Sequence, residues 1–78
     1  MSSETTTEAE AVPYFFLMRV QWQVGGGMAV SVLHGTEPVR PGESRHKVFL
    51  RIRDTALVKA GAPSNADITA FTLEPDRI

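Results

Sequence analysis

The 78-residue sequence has no cysteine and only two histidines. Without thiols there is no disulfide staple and no thiolate metal site, and two histidines are too few for a structural zinc centre. A domain this small buries only roughly 60% of the surface its unfolded chain exposes, so its support must come from close packing or from self-association. Long apolar runs are missing too. The longest, Tyr14-Phe15-Phe16-Leu17-Met18, falls far short of the ~20 residues of a membrane-spanning helix. Residues 1–11 contain three glutamates, no basic residue and no apolar stretch. That reads against a secretory signal and sets the expectation of a cytoplasmic protein.

Catalytic and cofactor motifs are also lacking. A phosphate-binding glycine loop must open a helix, so that its N–H groups and the helix dipole meet the anion; Gly25-Gly26-Gly27 is followed by strand-like alternation and reads as a hairpin turn. His34 shares the phase of the apolar face beside Met18 and is expected as a hydrogen-bonded, partly buried side chain. His46, between Arg45 and Lys47, is expected in solvent. Glu37 and Glu43 match no ligand spacing around either histidine. The expectation is a protein without cofactor or metal and without enzymatic activity, because acid–base chemistry needs convergent groups in a pocket.

What the sequence does hold is an ordinary soluble composition, 42% hydrophobic with a mean hydropathy of -0.09, and a pattern. Residues 1–12 are rich in Ser, Thr, Glu and Ala and are expected as a flexible acidic tail, leaving 13–78 as a single domain. From Tyr14 the even positions are Tyr14, Phe16, Met18, Val20, Trp22 and Val24; the odd ones run Phe15, Leu17, Arg19, Gln21 and Gln23. A period of two is a strand, and the alternation resumes from Met28 to His34. Burial of one face specifies register. A three-residue loop, Gly25-Gly26-Gly27, would pair Trp22 with Val30 and Val20 with Val32, with Gly27 left-handed. The second strand is expected to fade near Gly35-Thr36-Glu37.

Pro41-Gly42 marks a turn, and Ser44 or Glu43 can start a helix. Val48, Phe49, Ile52, Ala56 and Ala60 follow helical spacing, with Lys47, Arg51 and Asp54 opposite. Gly61 is a C-cap and Pro63 forbids continuation. Ile68 to Leu73 reads as a third strand, ended by Glu74-Pro75-Asp76. The expected fold is therefore α+β, a β-β-α-β sheet of three strands with one helix on one face. That helix would cover Phe16, Met18, Val20, Trp22, Val30 and Val32, leaving Phe15, Leu17 and Leu33 uncovered.

The stretch from Tyr14 to Asp76 resembles a group of small uncharacterised proteins of high-GC actinobacteria and their mobile elements. It does so through Tyr14-Phe15-Phe16, Gly25-Gly26-Gly27, His34-Gly35-Thr36, Arg40-Pro41-Gly42, Ile52-Arg53 and Phe71-Thr72-Leu73-Glu74-Pro75. The topology also looks like a truncated β-grasp domain. Neither resemblance implies an activity.

Two functions from different classes are expected of such an object. The first is a protein-interaction module, self-associating, that binds a partner through its open sheet face or a strand edge. Phe15, Leu17 and Leu33 would be its anchors, and Arg19 and Gln21 its polar contacts. The alternative is a nucleic-acid-binding accessory protein. With the tail glutamates set aside, eight basic side chains face six acidic ones, and five of the eight, Arg40, Arg45, Lys47, Arg51 and Arg53, fall in one segment that could contact phosphates.

Overall fold

The computed structural model describes residues 11–77. Most of the expected tail lies outside the described residues, but Val12 is already paired, opposite Val39. Four elements follow in the expected order: β1 (Val12–Val24), β2 (Gly27–Val39), α1 (Arg45–Ala60) and β3 (Asp67–Pro75). The fold is α+β. The three strands form one sheet in the order β2-β1-β3, with β1 antiparallel to both neighbours and α1 packed on one face. β2 and β3 are thus parallel, joined through α1, with β1 inserted between them.

The hairpin corrects the expected register. Val24 pairs with Gly27 and Trp22 with Ala29, not Val30, so the loop is Gly25-Gly26 alone. Gly25 has φ +55° whereas Gly26 and Gly27 do not take positive φ, the pattern of a type II′ turn, whose twist matches that of the flanking strands. Turn geometry therefore sets the register, and burial of Val30 and Val32 does not. The shift by one residue moves every side chain of β2 to the opposite face. Leu33, expected on the open face, now packs against the core, opposite Met18. Val30 and Val32, expected beneath the helix, lie opposite Gln21 and Arg19 and are 47% and 53% exposed. His34 likewise pairs with Leu17, not Met18, and is exposed. Nor does β2 fade at Gly35; it continues to Val39.

On the covered face Met18 packs with Val48, Ile52 and Ala56; with Val20 and Leu57 these are the six buried apolar side chains among the described residues. Phe16, Phe49, Ile68, Phe71 and Leu73 border them. The Phe49 and Phe71 rings meet edge to face at 5.0 Å, a favoured aromatic geometry. One residue too many in β3 keeps this face apolar. Arg19 pairs with Ala70 but Val20 pairs with Ile68, so Thr69 bulges out and Ile68 is turned toward the helix.

Both helix ends carry the expected stops. The Lys47 N–H donates to Ser44 Oγ at 3.0 Å, an N-cap. At the other end Gly61, at φ 70°, lets its own N–H reach the Val58 carbonyl and that of Ala62 the Leu57 carbonyl, a Schellman closure. α1 is neither long nor apolar enough to cross a membrane. Its 16 residues span about 24 Å, whereas each 13-residue hairpin strand spans about 43 Å. The tip of the hairpin consequently projects beyond both the helix and β3, whose pairing ends at Gln21.

Candidate functional site

The uncovered face of the sheet is built from the odd residues of β1 and, given the register, the even residues of β2, since cross-strand partners share a face. Phe15 and Leu17 are half-buried there. Across from them stand Thr36 and His34, and Val32, diagonal to Leu17, begins an apolar row that runs through Val30 to Met28, opposite Arg19, Gln21 and Gln23; Met28 is 54% exposed. The apolar strip is therefore wider than the sequence suggested: it gains three side chains of β2 and loses Leu33. The Phe15 ring lies 6.4 Å from that of His34. Arg19 and Gln21 occupy the middle of the face as expected. The Arg19 guanidinium donates to Thr69 Oγ1 at 2.9 Å and to Gln21 Oε1 at 3.3 Å, while the Thr69 hydroxyl donates back to the Arg19 carbonyl. This polar cluster fixes the bulge and leaves the strip on the β2 side unbroken by charge.

The two edges of the sheet differ. A two-residue turn makes Val24–Gly27 a hydrogen-bonded pair, and hydrogen-bonded and non-hydrogen-bonded pairs alternate from there. Even residues of β1 thus bond to β2, and odd ones bond to β3. The Asp76 N–H donating to the Pro13 carbonyl agrees with this. On β2 the outward backbone groups belong to Met28, Val30, Val32, His34, Thr36 and Pro38. Pro38 has no N–H to offer, and its carbonyl accepts from Arg51 Nη2 at 3.0 Å. The edge from Met28 to Thr36 has no such cover among the described residues. On β3 the outward residues are Phe71, Leu73 and Pro75. Pro75 again lacks the donor, Arg45 Nη1 reaches the Leu73 carbonyl at 3.4 Å, and the Arg45 guanidinium lies 5.7 Å over the Phe71 ring. Proline, a bulge and a cation blunt β3; beyond its base, β2 is bare among the described residues.

The basic segment is divided by the fold. Arg51, expected to face solvent with Lys47, turns to the base of β2. Its Nε donates to Glu37 at 2.5 Å and its Nη1 to Glu43 at 2.8 Å. Glu43 also accepts from the Arg40 N–H at 2.9 Å. The Arg51 contact, followed by that of Arg40, holds the Glu43 carboxyl down to about 2, and the two carboxylates push the Arg51 pKa up. Arg53 pairs with Asp54 at 3.0 Å. Arg45 stands over β3, on the other side of the helix from Arg51. Of the five side chains named as a phosphate surface, Arg45, Arg51 and Arg53 thus serve three different sets of neighbours.

Between β2 and α1 runs a groove of about 300 Å³. Phe16, Leu33, Ile52 and Ala56 form its apolar lining, and Lys59 stands at its rim. Gly35 forms part of its wall, with the Phe16 ring 3.4 Å from where a β-carbon would stand. Among the described residues no three His, Asp or Glu side chains are grouped so as to hold a metal ion. In comparisons with known proteins, no family model, no curated sequence and no solved structure matches this chain.

Proposed function

We propose that the protein is a small, non-enzymatic interaction module that binds a protein partner across its open sheet face and self-associates. The observation that carries this reading is the strip of Phe15, Leu17, Met28, Val30 and Val32 on a face that no element among the described residues covers. A strip of this kind, rimmed by Arg19, Gln21 and Thr72, has the composition of an interaction surface. A core of six buried apolar side chains among the described residues gains further support when this strip is covered.

Co-purification from the native host, with the wild-type chain and a Leu17→Lys variant, tests the reading. The wild type is expected to bring down a partner in stoichiometric amount, and the variant, folded by circular dichroism, to lose it. Equal recovery by both, or a wild-type chain that recovers nothing, would sink the proposal.

A further inference from the structure

We infer that self-association joins two copies of this chain antiparallel along the free edge of β2, about a two-fold axis at Val32, making one six-stranded sheet. The inference rests on the reading of the sheet as an interaction module and names how that module assembles.

Three observations lead to it. First, among the described residues only the β2 edge is left without cover. Both edges begin or end in a proline at an outward position, and both have an arginine on an outward carbonyl, Arg51 on Pro38 and Arg45 on Leu73. On the nine-residue β3 that, with the bulge, covers most of the edge. On β2 it closes only the base, and five outward residues remain open: Met28, Val30, Val32, His34 and Thr36. Such a regular, uncovered edge is a template for another strand.

Second, the open stretch is symmetric about its own centre. The outward residues are centred on Val32, so an antiparallel copy sharing a two-fold axis there pairs Val32 with Val32, Val30 with His34 and Met28 with Thr36. All five are then matched, and about ten backbone hydrogen bonds form, two for each such pair. A two-fold contact must be self-complementary in this way. Residues 27–36 include no Asp, Glu, Lys or Arg, so no like charges are brought together, and Pro38 falls outside the shared ladder.

Third, both faces accept the added strand. On the open side the two Val32 side chains meet, with Val30 opposite His34 and Met28 opposite Thr36 on either side, so the two apolar strips join at Val32. On the helix side the partner would bring Ala29 opposite Gly35 and Ser31 opposite Leu33, small residues at the mouth of the groove beside α1. The face proposed for partner binding is thereby doubled in width.

The sequence has no cysteine, so a single introduced thiol reports the register. Light scattering over roughly 10–200 µM should give twice the chain mass. Mild oxidation of Val32→Cys should yield a covalent dimer in preference to Val30→Cys or His34→Cys, because only residue 32 meets itself. Val32→Pro removes an outward N–H that serves no bond within the chain, a change tolerated on an edge strand; it should give a folded monomer. Leu17→Lys, on the central strand, should leave the dimer intact. A wild-type monomer, a dimer that survives Val32→Pro, or cross-linking no better at 32 than at 30 would overturn the inference. Loss of the dimer in Leu17→Lys alone would mean that the copies pack face to face, and would overturn it too. A wild-type monomer that still captures a host partner through Leu17 would leave partner binding by the open face standing without self-association.

Discussion

A side chain at Gly25 would have to sit at φ +55°, where an L-residue is disfavoured by about 1–2 kcal/mol. Gly26 takes no positive φ and would place its β-carbon in open space. Gly25→Ala should therefore lower stability by about that amount, and Gly26→Ala should be neutral or raise it by up to about 1 kcal/mol by restricting the unfolded chain. Gly27→Ala should be near neutral. Were the loop three residues long, with Gly27 left-handed, Gly27→Ala would be the costly change instead, so three urea titrations decide between the registers. A second residue-scale expectation concerns Glu43. Its carboxyl is held down to about 2 from an ordinary 4.5, chiefly by Arg51. A lowered carboxylate stabilises the fold fully above its unfolded pKa and loses that contribution as pH falls toward its folded value. Glu43→Gln should be less stable than the wild type near pH 7, and the gap should close between about pH 4.5 and 2. Unfolding midpoints measured across that range would show a constant gap if the pair were idle. Arg51 itself makes a forked contact that a lysine cannot reproduce. Arg51→Lys should behave much as Arg51→Ala, each lowering the unfolding midpoint only modestly because the pair is open to solvent.

At the scale of elements, α1 was legible from sequence because each of its signals is local. Ser44 caps it, Val48, Ile52 and Ala56 recur at four-residue spacing on the buried side, and Gly61 with Pro63 stops it. Since Ile52 is 2% exposed, Ile52→Ala should cost about 2–5 kcal/mol. For a small domain that is a large share of the total, and thermal unfolding should show a sharply lowered or vanished transition. The alternation of β1 was equally plain, and Met18 and Val20 are buried as it implies. β2 was misread for a physical reason. Its residues alternate Met28, Val30 and Val32 with Ala29, Ser31 and Leu33, and both sets can face a core. Burial could not choose between them. A register that keeps apolar opposite apolar puts Val30 and Val32 across from Trp22 and Val20, but a Gly-Gly pair closes most readily as a two-residue turn and gives the covered face Ala29, Ser31 and Leu33. That error placed Leu33 among the surface anchors and Val30 and Val32 beneath the helix. The bulge at Thr69 carried no signal of its own in the sequence, and Arg51's turn toward Glu37 depends on two residues distant along the chain. Phe15, Leu17, Arg19 and Gln21 were assigned correctly to the open face, because that assignment needed β1 alone.

At the scale of the whole molecule, a long hairpin is supported on one face by a shorter helix and at one edge by a shorter strand. The Cα radius of gyration, 15.0 Å, exceeds the about 11 Å of a compact chain of this length, as such a shape requires. Protection of the backbone should follow from it. Along β2 the N–H groups of Ala29, Ser31, Leu33 and Gly35 point to β1, whereas those of Met28, Val30, Val32, His34 and Thr36 point outward. In dilute solution hydrogen exchange should alternate along the strand, slow at the odd positions and fast at the even ones, with odd positions near the tip faster than those over Met18 and Val20. Pairing of two copies along this edge would slow the even positions as well, and by mass action would do so increasingly with chain concentration. Face-to-face packing makes a different demand, because it covers side chains without giving the outward N–H groups a partner. The even positions of β2 would then stay fast at every concentration. Exchange measured at two concentrations thus separates a bare edge seeking a strand from a bare face seeking a surface.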